Sequence, residues 1–152
     1  MRKFLMPAAI VSVLAAAPVS ADAMMVRGGP NLLAAVEHAV TDATASMGKA
    51  KDNRGDILTF ANPVFDAADK KQIGTDNGFC IRTVAGSAYE CIWTLLLSDG
   101  QVTVEGPFHD SGDTTLAVTG GTGAYSGVKG EMLLHARDAK GSEYDFTYKF
   151  VR

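Results

Sequence analysis

A single carboxylate in an oily setting is the first candidate for chemistry. Glu37 follows Ala34-Ala35-Val36. A carboxylate turned into an apolar interior is costly to bury unless it has a partner or a task. Periodicity alone leaves the alternative open that Glu37 faces water. The second candidate is chemical but not catalytic. Cys80 and Cys91 are the two cysteines of the chain. They lie in the strand-like runs Gly78 to Val84 and Tyr89 to Leu97, joined by Ala85-Gly86-Ser87-Ala88. A tight hairpin centred on Ala85-Gly86 sets them opposite one another, and a shift of one residue on each side makes them diagonal. Both registers put the thiols on one face. A cross-strand disulfide Cys80–Cys91 is expected, against the alternative of two buried free thiols.

Other constellations carry less. The three histidines, His38, His109 and His135, are far apart and lack the context of a triad. Gly120-Gly121-Thr122-Gly123 has neither the Lys-Ser/Thr ending nor the following helix of a phosphate loop, and reads as a β-turn. Asp110, Gly112 and Asp113 do not have the spacing of a calcium loop. No metal and no cofactor is expected. The formal charge of −3 argues against a nucleic-acid partner.

The elements that must position these residues are strands. Gln101 to Val104 and Thr115 to Thr119 alternate apolar and polar residues one by one. Gly106-Pro107, Ser111-Gly112-Asp113 and the glycines at 120–123 are expected to turn the chain. Asp56 to Phe65 is a strand with Leu58, Phe60 and Asn62 on one side, and Pro63 marks an end, an edge or a bulge. Ile73 begins a strand near Gly74. Tyr89, Cys91, Trp93, Leu95 and Leu97 share a face, as do Tyr144, Phe146, Tyr148 and Phe150, a stripe that reads as core. Residues 31–44 have both helical and strand features, with strand preferred over Leu33 to Val40. Residues 45–55 read as a loop. Seven or eight short strands make an antiparallel sandwich or a closed barrel, and a small barrel can hold one ligand.

The N-terminus is a targeting signal by pattern. Arg2-Lys3 is basic, Phe4 to Val19 is nearly all apolar, and Ala21-Asp22-Ala23 suits a signal peptidase. The apolar run falls short of the roughly 20 residues of a membrane span. Residues 1–23 are therefore expected to be a signal peptide and 24–152 a single domain, with no span after cleavage. The protein would be periplasmic or secreted, where thiols pair.

Several blocks resemble the plant allene oxide cyclases. They are Gly55-Asp56-Ile57-Leu58-Thr59-Phe60-Ala61-Asn62, Lys70-Lys71-Gln72-Ile73-Gly74, Gly78-Phe79-Cys80, Val102 to Phe108, and Leu116 to Gly123, with Gly127 and Gly130 after them. The Gly-Gly-Thr-Gly element is also similar to that of dirigent proteins. The resemblance implies an eight-stranded, calycin-type antiparallel β-barrel, often a homotrimer, with an apolar cavity. In the cyclases the cavity shapes an unstable fatty-acid epoxide, holds its oxygen through a water, and stabilises positive charge with a carboxylate. Carried over by position, Glu37 is the site glutamate and Asn62 helps hold the water. Phe60, Cys80, Tyr89 and Phe108 line the cavity, and Trp93 joins them from its strand. The match is incomplete. Ala39 stands where the family has asparagine, Ala45-Ser46 lacks the family's Ser-Pro, and Phe108 stands for a tyrosine. Three functions remain open: guided cyclisation or coupling of an apolar small molecule, non-catalytic carriage of a lipid-like or phenolic ligand, and a structural module whose barrel is filled by its own side chains.

Overall fold

The computed structural model describes residues 31–151. The expected signal peptide lies outside them. Nine strands follow in order: β1 (Leu32–His38), β2 (Ala43–Ala45), β3 (Ile57–Asp66), β4 (Gln72–Val84), β5 (Ala88–Leu97), β6 (Gly100–His109), β7 (Thr114–Gly123), β8 (Lys129–Ala136) and β9 (Glu143–Val151). Every pairing is antiparallel, and from β3 to β9 each strand pairs with the next. β1 pairs with β9 on one side and with the end of β3 on the other, which closes an eight-stranded barrel. β2 is the extra strand and covers only the start of β3.

Closure needs an interior of the right sizes. Leu33, Leu95, Val102, Tyr125, Tyr148 and Phe150 are buried and fill one end. The alternation read from the sequence places the β5 and β9 stripes inward. Residues 31–44 contain strand and no helix. β1 is stitched to partners on both edges, so tertiary pairing overrides the helical spacing of Leu32, Leu33, Val36 and Val40.

Two expected turns are strand instead. β6 runs through Gly106-Pro107 because Gly106 takes a φ of 148°, a region few side chains tolerate. Pro107 lies beyond Glu105, the last β6 residue paired to β7, so its missing N–H breaks no ladder there. The glycines at 120–123 complete β7 and pair with Gly100–Thr103 across a bulge at Thr103/Val104. β4 likewise extends back through Asp76-Asn77, a pair that reads as a turn by composition. Pro63 sits where β3 has no strand partner on its β1–β2 side, just before a bulge at Val64/Phe65.

Gly78 marks a close approach between strands. It faces Trp93 across the β4–β5 ladder. A Cβ at Gly78 would lie 2.6 Å from the Ile92 carbonyl oxygen, and closer still to Trp93 Cβ. Gly78→Ala is expected to cost about 1–3 kcal/mol, because backbone must move to admit the methyl group. Urea unfolding reads it as a lower midpoint at an unchanged slope.

Candidate functional site

The cavity lies at the barrel end where β1, β4, β6 and β8 finish and β3, β5 and β9 begin. About 420 Å³ of empty space lies within it when the open solvent at its mouth is included. Phe60, Trp93, Phe108, Tyr144 and Phe146 are the aromatic part of its wall. Phe60 meets Trp93 edge-on with ring centres 6.0 Å apart, and Trp93 lies 5.9 Å from Phe146. Phe108 and Tyr144 are also edge-to-face, at 5.9 Å. Such contacts hold rings at fixed angles. The Cys80–Cys91 disulfide completes one side. Its half-cystines are directly opposite, a register reached through a bulge between Arg82 and Val84 and not through a tight turn at Ala85-Gly86.

Glu37 points inward with Leu33 and Ala35 and is only 6% exposed. Its Oε1 accepts a 2.6 Å hydrogen bond from Asn62 Nδ2. Asn62, 1% exposed, also donates to Asp42 Oδ1 at 2.9 Å. Its Oδ1 accepts from the Val40 and Thr41 backbone N–H groups and from Thr41 Oγ1. Both amide protons are thus taken by protein carboxylates. Asn62 pins the residue 39–42 segment beside Glu37, and no donor of its own is left for a water.

Asp76, opposite Asn62 on β4, is fully buried and also faces the cavity. No side-chain donor reaches either of its oxygens among the described residues, and the backbone N–H groups of Asp76 and Asn62 give its charged form only slight support against burial. The bond open to it is with Glu37, when one of the two carries a proton. Burial, then the Glu37 charge, pushes the Asp76 carboxyl up to about 9. Burial also raises Glu37, to about 7, against the lowering effect of the Asn62 hydrogen bond. At neutral pH the pair holds at least one proton between them.

At the rim, Arg82 is 7% exposed and forms ion pairs with Asp52 at 2.8 Å and Asp110 at 2.6 Å. Its guanidinium lies 3.5 Å from the centre of the Tyr89 ring. Tyr89 thus belongs to the rim, 6.2 Å from Phe108 by ring centres, and is outside the cavity lining. Backbone bonds from Arg82 to Gly55 and Asp56 tie the 46–56 loop to the same end. Tyr144 is pushed up to about 12, first by burial and then by the charges of Glu37, Asp42, Asp138 and Asp110.

The structure therefore gathers Glu37, Phe60, Cys80, Trp93 and Phe108 around one space, sets Asn62 behind Glu37, and leaves Tyr89 at the edge. Asp42, Asp76, Tyr144 and Phe146 were not singled out for this site by the sequence. Asp76 has the parity of Cys80, so a strand continued back past Gly78 would have placed it inside.

The chain is a closed antiparallel β-barrel with a carboxyl-bearing aromatic cavity at one end. The chain belongs to the allene oxide cyclase family, whose model matches residues 30–150. Among solved structures it is similar to one described as pyocyanin demethylase, at 27% identity and a TM-score of 0.70, covering 79% of this chain and 99% of that one. The pterocarpan synthase dirigent protein PsPTS1 shares the fold at 18% identity, TM-score 0.62, 80% and 95% covered. So does the Diels-Alderase AbmU from Streptomyces koyangensis, at 16%, 0.62, 85% and 73%.

Proposed function

We propose that this chain is an exported barrel that binds an apolar small molecule and guides its cyclisation or coupling. The observation that carries the reading is the Glu37–Asp76 pair, buried at the wall of an open aromatic cavity. The rings select one conformer of the ligand, and the carboxyls meet charge as it develops. A protonated carboxyl beside an ionised one can donate a proton at one ligand atom while its partner accepts one at another, returning the pair to its starting state. The cavity favours this over a barrel filled by its own side chains. The disulfide is compatible with export. Exposed Phe79 and Ile81 on the outer face of β4 are in keeping with a homotrimer.

Native mass spectrometry of the exported protein tests the binding half. Expected are a trimer and a bound small molecule lost on collisional activation. A bare chain after ligand-rich expression would count against the reading. A second reading, demethylation, is favoured by the 27% identity to the pyocyanin demethylase over nearly all of that chain. Incubation with pyocyanin, followed for a product lighter by one CH₂, separates the two.

A further inference from the structure

Three carboxyl groups, Glu37, Asp42 and Asp76, line the cavity, and among the described residues no lysine, arginine or histidine joins them. Five aromatic residues make up half of the remaining wall. The geometry points to an organic cation as the ligand of this cavity: a flat, largely apolar ring system carrying a delocalised positive charge. This inference rests on the cavity being the ligand site, as proposed above.

Each alternative charge leaves something unpaid in the cavity's own polar groups. An anion such as a fatty-acid carboxylate would enter among three carboxyls with no counter-charge. A neutral hydrocarbon would bring neither charge nor donor to Asp76, fully buried beside Glu37. A cation gives both Asp76 and Glu37 an opposite charge, and a ring of Phe60, Trp93 or Phe146 met face-on attracts it further. Aromatic cages are an arrangement by which proteins recognise quaternary ammonium centres.

The surrounding charges do not reverse this balance. Arg82, the cation at the rim, is committed to Asp52 and Asp110, so that cluster carries an excess of negative charge. His38 alternates with Glu37 on β1, and it and Arg137 are bonded to Asp69, with Arg137 also reaching Glu143 and Asp145. Asn62 is neutral, and Tyr144 is held in its neutral form by burial and the carboxylates about it. A cation seated beside Glu37 and Asp76 displaces the proton they share, so binding near neutral pH releases protons.

Isothermal titration calorimetry at about pH 8, between the values to which the two carboxyls are raised, tests the inference with three flat probes of similar size. They are N-methylquinolinium, quinoline, which is neutral at that pH, and 2-naphthoate. N-methylquinolinium is expected to bind about tenfold or more tighter than quinoline, and 2-naphthoate weakest. Buffers of different ionisation enthalpy should reveal proton release with the cation alone. Glu37→Gln and Asp76→Asn, each checked for native near-UV dichroism, should bring the cation-to-quinoline preference to about one. Quinoline or 2-naphthoate binding as tightly as the cation overturns the charge assignment and leaves the cavity a ligand site. Failure of all three probes, with no small molecule seen by native mass spectrometry, overturns the cation and the ligand site together.

Discussion

Asp76→Asn is expected to stabilise the barrel, by an increment that grows as the pH is raised from about 5 to about 9. The sign follows from the direction of the shift. An unfolded aspartate titrates near 3.9, whereas burial and the Glu37 charge raise the folded value to about 9. Between these values the folded chain binds the proton and the unfolded chain does not. Stability is therefore greatest below the unfolded value and is lost as pH rises toward the folded one, at up to about 1.4 kcal/mol per pH unit for one such proton. Glu37, raised to about 7, adds to the slope over the lower part of the window. Asparagine has nearly the same shape and no charge to desolvate, so it removes the Asp76 contribution. The carboxylates held low by hydrogen bonds, among them Asp56 and Asp66, lose their stabilising effect only below the usual carboxylate range, outside this window. His135, raised by its hydrogen bond to Asp113, acts within it but is common to both proteins. Urea midpoints of the two proteins across that range check the result. Parallel curves, or a variant less stable at about pH 9, would contradict it.

Glu37→Gln is expected to lower turnover by about 10²-fold or more, the usual loss when a positioned acid–base group is removed. Glutamine keeps the size of Glu37 and can still meet Asn62. It cannot take up a proton from the ligand or from Asp76, and it carries no charge to offset a developing positive centre. The expected pattern is a fall in kcat larger than any change in KM, with a cooperative unfolding transition retained. Pyocyanin and any co-purified ligand are the substrates to assay. A carrier would show no turnover to lose and a ligand affinity indifferent to the change, as long as that ligand is uncharged. Turnover equal to the parent protein's would remove Glu37 from the chemistry.

Glu37 and Asn62 were legible in the sequence because each sits in a plain strand alternation, Ala35-Val36-Glu37 and Leu58 to Asn62, whose inward parity the ladders keep. The disulfide was legible because both cysteines lie in plain strand runs, and a bulge between Arg82 and Val84 sets them opposite one another. Asp76 was hidden by local chemistry. Asp-Asn followed by glycine has turn composition, and only pairing on both sides, with β3 and β5, holds that segment extended. The same competition hid the continuation of β6 through Gly106-Pro107 and of β7 through its glycines. Residues that can turn a free chain do not turn one that is bonded along its edges. Tyr89 has the inward parity of Cys91 and Trp93, but it sits near the start of β5, where Arg82 from the neighbouring strand lies over its ring. Alternation gives a side chain's face, and height along the barrel decides whether that face is cavity or rim. Asp42 lies between strands, where alternation gives no guidance, and is held in the cavity wall by its hydrogen bond from Asn62.

The central claim is that two carboxyl groups share a proton inside an aromatic-walled barrel. Carbon-13 NMR of carboxyl-labelled Glu37 and Asp76, titrated in the folded protein, tests it most directly. Linked titrations are expected, both displaced above the ordinary carboxylate range, with Asp76 still protonated at neutral pH. Two independent carboxylates, both ionised by about pH 5, well inside the normal range, would contradict it.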